Sequence, residues 1–401
     1  MKFPFLIIYI FCILSNYAIG QIPVFGLPIN LCILSVILLF FACLVLEKPK
    51  LDKWMIMYFV FLFFYVISAL ASGFGNILFH KLYSTFFISF VVYWATGIMI
   101  RRFNTLSPLI YTLLFIGMLD VFVTVLQANG IPIHNPFITS IIQNTEQDEF
   151  LAAHGYELGF AISGIYANPV FNGHILLFIF LISLLPQYDK LNISMLIFTF
   201  ALIVGLFFCQ QRSAFIFSIV AFVFVFYRKI KASKFSFLLF FVFIIASIAV
   251  YNYFVDYVAV TGSRLSQTND TGREIIWNNA INFIVGHPFF GGYDLFIMES
   301  GTYPHNLILS SFLAGGLFGG LILLVMVGNQ IVYIIKKINV TKNFFYYILG
   351  IIYFAMLADS MLHNTGLVDM DFSTFIIWGM FSPIMRYNLS PNISFSKRKN
   401  I

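Results

Sequence analysis

Long and nearly uninterrupted apolar runs constrain this chain more than any other feature. Runs such as LCILSVILLFFACLVL and FFYYILGIIYFAM contain no charged residue, and a membrane-spanning helix needs roughly 20 mostly apolar residues. Only 9% of the chain is charged, against roughly 25% in soluble domains, so a water-soluble fold is excluded. The short alternating strands of a membrane β-barrel are not the pattern seen here. The sequence therefore predicts an all-α, polytopic integral membrane protein.

We predict about twelve transmembrane helices in a single membrane domain. The predicted spans lie near residues 4–19, 27–46, 54–72, 82–100, 106–128, 166–186, 192–208, 212–228, 235–251, 305–335, 344–363 and 370–387. Most connections between them are short. Two are long, the segments 129–165 and 252–304, and these segments are the places where polar chemistry can gather outside the bilayer.

The positions of Lys and Arg predict the orientation of the chain, because cytoplasmic loops carry an excess of both. With a cytoplasmic N-terminus, all but four of the 22 Lys and Arg residues fall on the cytoplasmic side. The four on the outer side are Lys81, Arg212, Arg264 and Arg273. Both termini are then cytoplasmic and both long loops face outward. The net charge of +6 is a topology signal beside anionic membrane lipids, and does not indicate a nucleic-acid partner.

The outer loop 252–304 is rich in turns and is predicted to carry short amphipathic helices. Gly and Pro punctuate the stretches TGSRLSQTNDTGRE and GHPFFGGYD. In REIIWNNAINFIVG the helical period places four apolar residues on one face, namely Ile276, Ala280, Phe283 and Ile284. Asp270 or Thr271 is the expected N-cap, with Glu274 completing a capping box. We predict a re-entrant or interfacial helix over this segment.

The outer arginines are the first candidates for a binding site. Arg212 lies at the outer end of a predicted span in CQQRSAF, Arg273 opens the predicted loop helix, and Arg264 precedes it by nine residues. An arginine kept on the outer face suits a phosphate or diphosphate, which its planar fork binds through two hydrogen bonds. The alternative for each is an interfacial anchor.

His305 and Asn306 form the second candidate site, in TYPHNLILSS at the start of the tenth span. A histidine at the membrane surface is placed to accept a proton from a substrate hydroxyl. The alternative is that His305 and Asn306 together cap the helix that follows. The sequence leaves both interpretations open.

Other polar and small residues are predicted to serve packing. Asn168, Asn172 and His174 form a polar stripe in the sixth span, which is typical of interhelical hydrogen bonding. The glycines of AGGLFGG at 314–320 predict a close-packing helix face. The four cysteines show no CxxC spacing. We therefore expect neither a metal site nor a disulfide framework.

The order of these motifs over residues 155–335 resembles the O-antigen polymerase and O-antigen ligase family. The resemblance implies an inner-membrane glycosyltransferase that acts on the periplasmic side upon an undecaprenyl-diphosphate-linked oligosaccharide, with no metal and no cofactor. It implies catalytic roles for Arg212, Arg273 and His305, whose positions match the family motifs. Ser310 and Ser311 depart from the pattern, because many polymerase-like members carry an acidic residue after the HN motif.

The resemblance leaves the reaction open between two activities. A polymerase joins repeat units, whereas a ligase transfers the finished glycan to lipid A core, and both need the same diphosphate site. We expect Arg212, Arg273, Arg264, Glu274 and Asn306 to bind the diphosphate or glycan, and a polysaccharide chain-length regulator is a candidate partner. A transporter or flippase is the third hypothesis, and it predicts inverted repeats with mid-bilayer charges.

Overall fold

The computed structural model describes most of the chain. The described residues are 2–19, 21–24, 27–73, 87–129, 131, 133, 162–166, 169–188, 193–209, 211–230, 272–362 and 372–387. The predicted span 235–251 lies outside them. Each of the other predicted spans overlaps a helix over its described residues.

Thirteen α-helices and one hairpin are described in chain order. They are α1 (Lys2–Leu14), β1 (Gln21–Val24), β2 (Leu27–Asn30), α2 (Leu31–Leu46), α3 (Lys53–Ala71), α4 (Ser89–Phe103), α5 (Ser107–Ala128), α6 (Pro169–Ser183), α7 (Ile193–Cys209), α8 (Arg212–Ile230), α9 (Arg273–Gly286), α10 (Tyr293–Ser300), α11 (Leu307–Thr341), α12 (Phe344–Ser360) and α13 (Phe372–Tyr387). A π-helical turn, Ser15–Ile19, extends α1, and a 3₁₀ turn, Leu185–Tyr188, follows α6.

The hairpin corrects the prediction of helices alone. β1 pairs with β2 in antiparallel register, with Gln21 opposite Asn30. The predicted span 27–46 therefore begins as a strand and becomes helical only at Leu31. Proline explains part of this difference, because Pro23 and Pro28 each lack the N–H that a helix interior requires.

Four described helical segments are long and apolar enough to cross a membrane: Lys53–Ala71, Ser107–Ala128, Pro169–Gln187 and Leu307–Thr341. Six further apolar helices are shorter, at 10–17 residues. Many large apolar side chains are exposed on these helices, such as Phe63 at 60% and Phe122 at 61%, which suits contact with lipid. These features indicate a membrane protein, while the predicted number of about twelve spans is not confirmed.

The chain divides into two compact units. In the first unit, which holds α3, α4 and α9–α13, α11 packs along α3 and α4 packs against α13. Gly315 and Gly319 lie so close to α3 that a Cβ on either would stand 3.2 Å from Phe61 or Phe64. The predicted close-packing face is therefore confirmed, because a side chain at either position would force these residues of α3 to shift.

A break in α11 was not predicted. Gly316 has φ +60° and ψ −164° inside the helix, a conformation that is essentially restricted to glycine. The turn 287–292 fills the break: the Gly292 N–H donates to the Leu313 carbonyl at 2.7 Å, and the Leu317 N–H donates to the Pro288 carbonyl at 2.8 Å. The GHPFFGG sequence thus satisfies backbone groups that the broken helix leaves free.

The second unit contains α5–α8. α7 packs against both α5 and α6, and α8 packs against α6 and α7. Glycines allow close contact here too, since a Cβ on Gly117 would stand 2.8 Å from Ile179 and Leu202. The second unit also contains the short segment 162–166, and the first residue of its helix α8 is Arg212.

Candidate active site

The helix α9 brings Arg273 into the first unit. Arg273 is its first residue and is half-buried, whereas Glu274 is exposed. Arg273, Trp277 and Ala280 fall on one face of α9, following the helical period. Ala280 is fully buried, and α9 packs against α11. The predicted helix is therefore present and packs against α11. Ile275, Ile281 and Val285 are exposed on its other side, so its amphipathic character is not confirmed.

Our prediction of the N-cap residue of α9 is wrong. The N-cap is Gly272, with φ +71°, so no side chain performs the capping that we predicted from Asp270 or Thr271. Those two residues, together with Arg264, lie outside the described residues. A left-handed backbone at this position requires glycine rather than a capping side chain, and this explains the GR pair in the sequence.

A single hydrogen bond connects α9 to the HN motif. The Trp277 Nε1–H donates to the Pro304 carbonyl at 2.9 Å, and Pro304 directly precedes His305. Trp277 follows Arg273 by one helical turn, about 6 Å along the axis. Arg273 and His305 therefore belong to one corner of the first unit, which we name the HN corner and define by Arg273, Trp277, Pro304, His305 and Asn306.

Backbone geometry fixes His305 at this corner. Its φ of +49° is left-handed, which is uncommon for a residue other than glycine and costs free energy that the surroundings must offset. Pro304 on one side is buried, and Asn306 on the other caps α11. The imidazole itself is half-exposed. The left-handed backbone and the two anchored neighbours therefore restrict where the imidazole can lie.

Both polar atoms of the Asn306 side chain form hydrogen bonds within the protein. Its Oδ1 accepts hydrogen bonds from the N–H groups of Ile308 and Leu309, at 2.9 and 3.1 Å. Its Nδ2 donates to the Met361 carbonyl at the end of α12, at 3.2 Å. Capping of α11, one of the two interpretations left open above, is thus what the Asn306 side chain does. Its contact with substrate stays a prediction.

Arg212 lies in the second unit as the first residue of α8 and is half-buried. The preceding residue, Gln211, accepts the Phe215 N–H through its carbonyl at 3.1 Å and so begins the helix. The N-terminus of α8 adds the positive end of a helix dipole to the guanidinium charge. This local arrangement suits an anionic group.

Sequence reasoning missed one polar group in the second unit. Asp120 is fully buried in α5, and its Oδ1 accepts the Ile165 N–H at 2.9 Å. Its signal was a single carboxylate inside a long apolar run, which by itself marks a candidate for function. Of the predicted polar stripe, Asn172 does bond between helices, because its Nδ2 donates to Cys209 Sγ at 3.2 Å.

Replacement of Trp277 by phenylalanine is expected to loosen α9. The change keeps an aromatic ring but removes the Nε1–H that holds Pro304, and such a bond is worth about 0.5–1.5 kcal/mol. Amide hydrogen exchange over 273–286 should accelerate, by about threefold to tenfold. Asn278→Ala, on an exposed position of the same helix, is the control. Equal exchange in Trp277→Phe and the wild type would contradict this anchoring role.

Comparison with known proteins finds a similarity over part of the chain. A family model described as O-antigen ligase matches residues 197–324, which contain Arg212 and the whole HN corner. No curated protein matches the chain. The match bears out the resemblance predicted from the motifs: over residues 197–324, about a third of the chain, the sequence is similar to the O-antigen ligase family.

Proposed function

We propose that this protein is a glycosyltransferase of the bacterial inner membrane that polymerises surface polysaccharide from undecaprenyl-diphosphate-linked repeat units. The observation that carries the proposal is the family match over 197–324, a segment that contains Arg212, Arg273 and His305. Its active site then faces the periplasm, as the positions of Lys and Arg predict. Both termini are cytoplasmic in this arrangement.

The proposed reaction is a direct displacement at the anomeric carbon of the donor. The acceptor hydroxyl oxygen forms the new bond to this carbon, while the bond from the carbon to the lipid diphosphate breaks. The diphosphate leaves with the electron pair, and Arg212 and Arg273 stabilise its negative charge. His305 takes the hydroxyl proton. The configuration at the anomeric carbon inverts, since the nucleophile is the acceptor itself.

The HN corner supports these roles through its geometry. The left-handed backbone of His305 and the Trp277 hydrogen bond restrict both the base and the helix that carries Arg273. Groups held in advance accelerate a reaction because they need not be ordered during it. Arg264 and Glu274 are proposed to contact the diphosphate or glycan, and membrane lipids surround the apolar helices. A chain-length regulator is a proposed protein partner.

Ligation of O-antigen to lipid A core is the second candidate function. The description of the matching family model, O-antigen ligase, favours it. Both reactions use the same leaving group and differ only in the acceptor. A polymerase must bind a second lipid-linked glycan, whereas a ligase must bind the lipid A core.

Deletion of the gene, followed by gel analysis of the surface glycan, separates the two functions. Loss of a polymerase leaves core with a single repeat unit. Loss of a ligase leaves long glycan on the lipid carrier and none on the core. An unchanged glycan profile would refute both functions.

Complementation of the deletion tests the role of His305. We expect His305→Ala to lower glycan transfer by about 10²-fold or more, because a general base contributes about 10²–10⁴-fold. His287→Ala is the matched control, since His287 is an exposed histidine in the same region of the chain. Protein levels are compared by immunoblot. Equal complementation by both variants would exclude His305 as the base.

A further inference from the structure

A buried polar cluster lies in the second unit, and the proposed reaction does not use it. Asp120 and Thr124 come from α5 and Asn172 comes from α6, and all three are fully buried. Gln211, just before Arg212, is 5% exposed. Asp120 lies eight residues before the end of α5, about 12 Å along the helix. Polar groups this deep in an apolar segment are costly unless they are satisfied.

The cluster holds the segment 162–166 against the end of α7. The Ile165 N–H donates to Asp120 Oδ1 at 2.9 Å, and the Ile162 N–H donates to the Phe208 carbonyl at 3.1 Å. Asn172 Nδ2 donates a hydrogen bond to the Sγ of Cys209, the residue after Phe208. Phe208 and Cys209 precede Arg212 by four and three residues. The contacts therefore restrain the turn from which α8 and its arginine begin.

Gly164 shows how closely this segment is packed. Its φ is +62°, and a Cβ would stand 2.0 Å from Asp120 Oδ1 and 2.5 Å from Asn172 Nδ2. The side chain of Gln127 forms two hydrogen bonds to the backbone of Gly164. Its Oε1 accepts the Gly164 N–H and its Nε2 donates to the Gly164 carbonyl, both at 2.9 Å. The segment 162–166 therefore packs directly on the cluster.

Gln211 connects this cluster to Arg212. Its side chain packs on Gly173, where a Cβ would stand 2.0 Å from Gln211 Oε1. Gly173 follows Asn172 directly. Gln211 thus packs against α6, the helix that carries Asn172 of the cluster. This contact leaves the start of α8 little freedom to shift.

The hydrogen-bond inventory favours a neutral carboxyl at Asp120. Asp120 Oδ2, Thr124 Oγ1 and Asn172 Oδ1 are buried with no hydrogen-bond partner among the described residues. An ionised carboxylate only accepts, whereas a protonated one can donate to a buried acceptor such as Asn172 Oδ1. The titratable groups that interact electrostatically with Asp120 are Tyr166 of the segment and Cys209 of α7. Both are acids that cannot neutralise a carboxylate, and an unpaired carboxylate at this depth is expensive.

We propose that Asp120 is a protonated hydrogen-bond hub and a positioning residue for Arg212. It holds the segment 162–166 and Asn172 against the end of α7, and so fixes the guanidinium that awaits the lipid diphosphate. The functional part of this proposal rests on the proposed role of Arg212. The structural part does not, since it concerns only the proton on Asp120 and the placement of Arg212.

Full-length variants in membrane vesicles test the hub without requiring activity. Phenylglyoxal modifies arginine, and mass spectrometry reads the rate at Arg212. Asp120→Ala leaves buried partners unsatisfied, so the rate at Arg212 should change by about tenfold. Asp120→Asn keeps a neutral donor and acceptor and should stay within about twofold of wild type. The infrared band of a protonated carboxyl should disappear in the Asp120→Asn variant.

Thr199→Val is the matched control. It removes a buried hydrogen bond to Ser183 of 2.9 Å in the same unit, about 15 Å along α7 from Cys209. Its rate at Arg212 should match wild type. An Asp120→Asn variant that behaves like Asp120→Ala, an absent carboxyl band, or an unchanged rate in Asp120→Ala would each overturn the hub. If the hub effects appear but the wild type transfers no glycan, the proposed function fails and the hub stands.

Discussion

Gly316→Ala is expected to destabilise the protein by about 2–6 kcal/mol. Two costs add: alanine is strained at φ +60° and ψ −164°, by about 1–3 kcal/mol, and its Cβ would stand 2.1 Å from the Phe289 carbonyl oxygen, an overpacking of about 1–3 kcal/mol. Relief requires the 287–292 turn to leave the break in α11. The measurement is the unfolding midpoint of the detergent-solubilised protein.

Gly328→Ala is the control for Gly316→Ala. Gly328 lies in the same helix, and a Cβ there would meet nothing within 4 Å. Alanine is a better helix former than glycine by about 1 kcal/mol, so this variant should be unchanged or slightly more stable. Equal midpoints for the two variants would show that the break at Gly316 does not carry the contacts described here.

Arg273→Ala is expected to lower glycan transfer by about 10²-fold or more, because it removes one of the two cations proposed to stabilise the leaving diphosphate. Arg273→Lys should recover only part of this activity, since lysine keeps the charge but loses the two-pronged geometry that matches a diphosphate. The measurement is transfer from a purified lipid-diphosphate glycan donor at matched enzyme concentration.

The control for Arg273 is Arg386→Ala, which removes an exposed arginine from the last turn of α13. This variant tests whether loss of any positive charge impairs the enzyme, and it should stay near wild-type activity. Full activity of Arg273→Ala would remove the arginine from the proposed mechanism. A loss of the same size in both variants would point to a general charge effect instead.

Several predictions from the sequence agree with the structure because they depend on local properties. Helices follow the long apolar runs, since a backbone in lipid must satisfy its own hydrogen bonds. The small-residue face of α11 meets Phe61 and Phe64 because glycine allows that close approach. The loop helix starts at Arg273, as its apolar period indicated. Asn172 bonds between helices, as its place in the polar stripe predicted.

Other features escaped prediction because they depend on residues far apart in the chain. The break at Gly316 forms only because the turn 287–292 supplies partners for the Leu313 carbonyl and the Leu317 N–H. Two adjacent glycines allow such a break but do not require it. The N-cap of α9 was assigned to a side chain, whereas the chain there adopts a left-handed glycine.

The sequence by itself indicated the membrane class, the helical architecture, a resemblance to the O-antigen ligase and polymerase family, and the residues proposed for chemistry, because each follows from composition, period or motif order. Only the tertiary structure decided how those residues are held. In the folded structure Trp277 donates a hydrogen bond to Pro304, and Asn306 caps α11. Asp120 accepts a hydrogen bond from the segment 162–166, which in turn contacts the end of α7, just before Arg212. Hydrogen bonds between distant segments set these positions, and a linear sequence does not specify which buried donor meets which acceptor.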